Sequence, residues 1–246
     1  MPRVVASIEA RMGSSRLPGK VLADIAGKPA LTWMIERLRR ANSLNEIVLA
    51  TTTAPLDDKL EVWAREHGVA CFRGSEGDVL GRVVAAHRRQ GTEVIVELCG
   101  DCPLIDPEIV DHAVDTFLLN THEIVSNARK PSFPQGLDVQ VFRFDTLADV
   151  AATITDPAVR EHVSLYFYEH EDRYRIHHLA ALARWRDPDL RLQLDHREDL
   201  LFLNELCRRL VQKHECTFGV GEILEVLRND PGLLTINGHL RERPPR

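Results

Sequence analysis

The sequence predicts an α/β fold: a mainly parallel sheet covered by helices on both faces, a three-layer α/β/α arrangement. Two observations predict it. Over roughly the first half of the chain, apolar runs of strand length alternate with stretches of helical period, joined by short connections. Two polar segments rich in turn residues, RMGSSRLPGK (11–20) and GDCPLIDP (100–107), follow the first and fourth of these runs. Open parallel sheets bind ligands beyond the carboxyl ends of their strands, which is where both segments would fall.

VVASIEA (4–10) reads as a buried strand, and PALTWMIERLRRA (29–41) as a helix with Leu31, Met34, Ile35 and Leu38 on one face. EIVLATT (46–52) is a strand. DDKLEVWAREHG (57–68) is a helix that turns Leu60, Trp63 and Ala64 inward and stops at Gly68. ACFRG (70–74), DVLGRVVAAHRRQG (78–91) and EVIVELCGD (93–101) continue as strand, helix, strand. PEIVDHAVDTFLLN (107–120) starts a helix at Pro107, with Asp106 as its N-cap.

The second half is less regular. EIVSN (123–127) is a strand, ARKPSFPQG (128–136) is turn-rich, and GLDVQVFRF (136–144) alternates as one strand of a projecting β-hairpin. A helix is expected over 156–170, strands at RIHHLAAL (175–182) and LRLQLD (190–195), and helices over 196–210 and 219–230. Residues 1–232 are read as one domain and 233–246 as a C-terminal tail, frayed at RERPPR.

Composition narrows the function. With 246 residues, 44% hydrophobic and a net charge of −6, the chain can build a large core, and its charge argues against a nucleic-acid or anionic-membrane surface. No apolar run approaches the ~18–20 residues of a membrane span. The start, MPRVVASIEARMG, lacks a long apolar region of the secretory kind, and the five cysteines are an odd number. Both point to reduced thiols in a cytoplasmic protein. Cys99 and Cys102 have C-x-x-C spacing without a second pair, which reads as structural thiols.

An anion in this protein must therefore be held by a local cluster. In 11–20, Gly13 and Gly19 permit close backbone approach, Ser14 and Ser15 offer hydroxyl and amide donors, and Arg11, Arg16 and Lys20 supply charge. The spacing matches neither G-x-x-x-x-G-K-[ST] nor G-x-G-x-x-G. Asp101, at the end of the fourth strand, suits Mg²⁺, which takes few protein oxygens and completes its shell with phosphates. A turn or capping role competes with that reading. Asp195, closing LRLQLD, is a second metal candidate, and helix capping is a compatible alternative.

These segments, with GKPALTWMIERLRRA, FRGSEGDVLGRV, GLDVQVF, REHVSLY and LRLQLDHREDL, resemble in order the cytidylyltransferase family, which includes the acylneuraminate and CMP-Kdo synthetases. The likeness is greatest to the branch labelled spore-coat polysaccharide biosynthesis proteins and spans about residues 3–210. The resemblance implies a Rossmann-like sheet of the nucleotide-diphospho-sugar transferase (glycosyltransferase-A) kind. It implies Mg²⁺-dependent transfer of CMP from CTP to a sugar-type acceptor with release of pyrophosphate, and a homodimer formed through an arm at about 128–144. By position, Arg11, Arg16 and Lys20 would act on the phosphates, within a nucleotide-binding set of Ala10, Arg11, Met12, Gly13, Ser14, Ser15, Arg16, Lys20, Ser75, Asp78 and Arg82. Asp101, counted with the catalytic residues, and Asp195 would hold the metal; Gln135, Asp138, Arg160 and His162 would face the acceptor. Gln193 stands where relatives often carry a small hydroxyl residue, which leaves the acceptor open. A glycosyltransferase using a nucleotide sugar, and a non-catalytic nucleotide-binding relative, are the alternatives.

Overall fold

The computed structural model describes residues 1–130, 132–214 and 216–241. Strand β1 (Val4–Glu9) is apolar on both faces, and its side chains divide between two cores: Val4, Ala6 and Ile8 enter one, Val5 the other. Such a strand needs cover on both sides, and helices supply it. The chain leaves β1 through the 11–20 loop and a short antiparallel pair, β2 (Asp24–Ile25) and β3 (Lys28–Pro29). It then alternates through α1 (Ala30–Leu38), β4 (Glu46–Thr52), α2 (Asp58–Glu66), β5 (Ala70–Gly74), α3 (Val79–Gln90) and β6 (Val94–Cys99). Strands β1, β4, β5 and β6 pair in parallel, as expected for short strand–helix–strand crossovers.

After α4 (Pro107–Leu118) the sheet becomes mixed. β7 (Ile124–Ser126) and β8 (Gln140–Arg143) run antiparallel to each other, and β8 also pairs antiparallel with β6. Three helices follow, α5 (Phe144–Thr153), α6 (Pro157–Glu161) and α7 (Leu165–Tyr168), then β9 (Ile176–His178), parallel to β7. The seven-stranded order is β5-β4-β1-β6-β8-β7-β9. Side chains of α1, α2 and α4 fill one core together with α8 (Arg197–His214) and α9 (Val220–Asn229); those of α3, α5, α6 and α7 fill the other.

Four expectations are corrected. The described residues of 132–144 form no projecting arm: Phe133, Leu137, Val139, Val141 and Phe142 are buried, and β8 sits inside the sheet. LRLQLD is not a strand, because its backbone bonds to two loops and makes only an isolated bridge, Gln135 to Arg191. The helix over 156–170 breaks at His162, whose backbone is extended. Residues 233–241 are not a loose tail: Leu233 and Asn237 are buried, whereas 242–246, with most of RERPPR, lie outside the described residues. No sequence signal marks the start of α5, which leaves β8 directly with no capping side chain.

Candidate active site

Parallel pairing sets Glu9 of β1 opposite Cys99 of β6, so two chain segments leave the sheet at the same edge. Gly100 holds them together: its N–H donates to the Glu9 carbonyl at 2.8 Å, and a Cβ there would stand 2.7 Å from that oxygen. Asp101 follows. The buried Arg37 guanidinium fastens the far end of this turn, donating to the carbonyl of Ile105 at 2.7 Å. Asp106 caps α4 and also accepts from the N–H of Val220. Segment 190–194 is laid alongside: Leu194 N–H donates to the Asp101 carbonyl, and Leu192 to that of Gln135, both at 2.8 Å. Gly136, at φ 88°, allows this approach, since a Cβ would meet the Gln193 nitrogen at 2.5 Å.

Residues distant in sequence thereby converge. The Lys20 ammonium donates to Asp101 Oδ2 at 2.7 Å and to Asp195 Oδ1 at 2.6 Å. Arg16 pairs with the other Asp195 oxygen at 2.8 Å. Burial favours a neutral Lys20, but the two carboxylates outweigh it and raise its pKa. Burial likewise favours a neutral Asp195; the charges of Lys20 and Arg16 overcome this and hold it at about 2. A buried frame fixes Asp195: the Asp199 carboxylate accepts the N–H groups of Asp195 and His196 at 3.0 and 2.9 Å and grips Arg191 at 2.9 and 3.1 Å. Asn237 closes the frame by donating to Asp199 at 3.0 Å and to the Arg191 carbonyl at 3.1 Å.

The loop itself is wound tightly. Ser14 and Gly19 N–H groups both donate to the Met12 carbonyl, at 3.0 and 2.9 Å, and Met12 N–H donates to Asp57 at 2.7 Å. The guanidinium-bearing side chains of Arg11 and Arg16 stay 41% and 40% exposed. They border a cleft of about 560 Å³, also lined by Ala10, Gly13, Ser14, Ser15, Lys20, Arg82, Asp101, His162 and Asp195. A second chamber of about 460 Å³ shares Glu9, Cys99, Glu161 and His162 with the cleft and reaches back to Gln140 and Tyr168.

Not every expected site residue arrives there. Met12 packs its half-buried side chain against the core and serves the loop through its backbone. Ser75 offers its carbonyl to Arg82, and Asp78 caps α3 by accepting from Gly81 N–H at 2.9 Å. Arg160 is bound to Asp78 and to the Ala151 carbonyl, bracing α6 against α3 and α5. Gln135 and Asp138 line neither cavity, and Gln135 bonds along the backbone to 190–192. Missed were Glu9, Glu97, Glu161, Gln140 and Tyr168 around the second chamber, and Arg191, Asp199 and Asn237 behind Asp195. Glu9 carried a signal, a carboxylate in the last position of a strand that points at the site.

Similarity to known proteins identifies the family. The family model described as cytidylyltransferase matches residues 5–222. The spore coat polysaccharide biosynthesis protein SpsF of Bacillus subtilis is 31% identical, over 93% of this chain and 95% of its own. A 3-deoxy-manno-octulosonate cytidylyltransferase of Geobacter sulfurreducens is 40% identical over 45% of this chain and 44% of its own. The structure of a cytidylyltransferase from Leptospira borgpetersenii superposes with a TM-score of 0.89 at 31% identity, covering 99% of this chain and all of that one. The chain therefore belongs to the cytidylyltransferase family and is a nucleotidyltransferase.

Proposed function

We propose that this enzyme transfers CMP from CTP to a hydroxyl of a sugar or sugar acid for surface polysaccharide biosynthesis, releasing pyrophosphate, with Mg²⁺ as the cofactor. One observation carries the reading: Lys20 of the basic loop is seized by Asp101 and Asp195, carboxylates from two other parts of the chain, at the wall of one cleft. The spore-coat and octulosonate relatives support the acceptor class.

The donor set fits a divalent ion. Two hard carboxylate oxygens already converge on one cationic atom, and Mg²⁺ takes few protein ligands when phosphates fill its octahedron. When bound there, the ion would neutralise charge on phosphate oxygens. The remaining work falls to the chain. Arg11, Arg16 and the donors of Ser14 and Ser15 hold the triphosphate. Lys20, kept charged by its surroundings, meets the charge that develops on the departing pyrophosphate. The buried Arg191–Asp199–Asn237 frame keeps Asp195 from drifting when Lys20 turns toward phosphate.

A thermal-shift panel of CTP, UTP, ATP and GTP with Mg²⁺, followed by an acceptor screen that reports pyrophosphate, tests the proposal. CTP should stabilise the protein most, and pyrophosphate should appear only with an acceptor. Stabilisation by no nucleotide, or release of a nucleoside diphosphate from a nucleotide sugar, would contradict it.

A further inference from the structure

The second chamber contains acid chemistry that the phosphate cradle does not use. Glu9 of β1 and Glu97 of β6 lie on neighbouring parallel strands, and one carboxyl oxygen of each and the Cys99 sulfur all fall within 4.8 Å of one another. Glu97 is buried and is held from behind by a polar chain: Gln140 Nε2 donates to it, the Tyr168 hydroxyl donates to Gln140 Oε1, and Ser126 bonds to Tyr168. Glu9 leans on Glu97 through a side-chain hydrogen bond. Its Oε1 is shut off from solvent and lacks a hydrogen-bond partner among the described residues, although Glu9 lines both the cleft and the chamber. A carboxylate oxygen left unpaired at the boundary of two cavities is costly unless something else satisfies it.

We infer that Glu9 accepts the proton of the attacking acceptor hydroxyl, with Glu97 holding it in position. The inference rests on the CTP reading above. The acceptor would lie in the chamber and the α-phosphate in the cleft, meeting at the residues the two cavities share. In the step, the acceptor O–H bond breaks and its proton goes to a Glu9 carboxylate oxygen. The freed electron pair forms the new bond to the α-phosphorus, and the bond to pyrophosphate breaks with its electrons on the leaving group. Glu9 then returns its proton to solvent. Burial, reinforced by the neighbouring Glu97 carboxyl, raises the pKa of Glu9 well above the usual range; burial also raises that of Glu97, against the hydrogen bonds it receives from Glu9 and Gln140. The pair thus suits a single shared proton: as Glu9 takes the acceptor's proton on its unpaired oxygen, the proton it shares passes wholly to Glu97. The other titratable or charged groups around Glu9 among the described residues include Arg82 of α3, Asp101, Cys99 and, on the chamber walls, Arg129, Glu161 and His162.

Two measurements on the full chain test this. Difference infrared spectra of wild type against Glu9→Gln and Glu97→Gln, at neutral pH without nucleotide, should show the carbonyl band of one protonated carboxyl in the wild type. No such band, or the intensity of two, overturns the inference. Pyrophosphate release from Mg²⁺·CTP, with glycerol as the hydroxyl probe, should fall about 10²–10⁴-fold in Glu9→Gln while thermal stabilisation by CTP is retained. Equal rates in wild type and Glu9→Gln overturn it. Loss of CTP stabilisation in the wild type itself would instead defeat the nucleotide reading, leaving the infrared result to stand on its own.

Discussion

Lys20→Met removes the one ammonium that both Asp101 and Asp195 grip, while keeping a chain of similar length. The three side chains are only 13%, 16% and 7% exposed, so the pairs are shielded from water. Breaking a buried pair from one side costs about 3–5 kcal/mol. Asp195 keeps Arg16 at 2.8 Å and Arg191 at 3.5 Å, which lowers the loss to the bottom of that range or just below it, about 2–3 kcal/mol. For a chain of this size that is a melting-temperature drop of roughly 4–12 °C. A divalent cation can take over the vacated charge. In the variant it need not displace an ammonium, so Mg²⁺ or Mn²⁺ without nucleotide should raise the melting temperature more than in wild type. Saturation at about 1,000 times the dissociation constant would return about 4 kcal/mol. Melting curves of both proteins across a cation titration provide the assay. A variant as stable as wild type, or equal cation responses in the two, would refute the reasoning.

Other outcomes follow from the same geometry. Asn237→Ala should lose about 1–3 kcal/mol in urea unfolding, because it strips a buried partner from Asp199, and turnover should fall with the loosened Asp195. An unchanged midpoint would mean that residues beyond 232 do not support the site. His87, wholly buried with Nδ1 against the Thr92 hydroxyl at 3.1 Å, is pushed by burial down to about 3. Since the unfolded chain binds that proton near the ordinary value of 6.5, stability drains as pH falls below 6.5, by about 1.4 kcal/mol per unit from this group. His87→Leu should flatten the profile between about pH 6.5 and 4.5; parallel wild-type and variant profiles would contradict the assignment.

The parallel half of the fold was legible because β1, β4 and β6 are covered on both faces and therefore read as continuous apolar runs. That alone placed RMGSSRLPGK and GDCPLIDP at one sheet edge. Segment 128–144 misled because prolines and glycine signal turns, and its interior bonding has no sequence period. Asn127 does the pairing there, donating to the Leu137 carbonyl at 2.8 Å and accepting from Val139 N–H at 2.7 Å. Asp78 and Arg160 drew a functional reading from their motifs, yet each is accounted for by the other and by a helix start or end. The frame behind Asp195 was invisible for another reason: Arg191, Asp199 and Asn237 meet only after the chain has packed.

Calorimetric titration of CTP into wild type and into Asp101→Asn/Asp195→Asn, each with and without Mg²⁺, bears most directly on the cradle and its two carboxylates. Binding to the wild type should require Mg²⁺, and the double variant, verified as folded by its melting curve, should lose that dependence and most of the affinity. Mg²⁺-dependent binding of equal strength in both proteins would contradict the account.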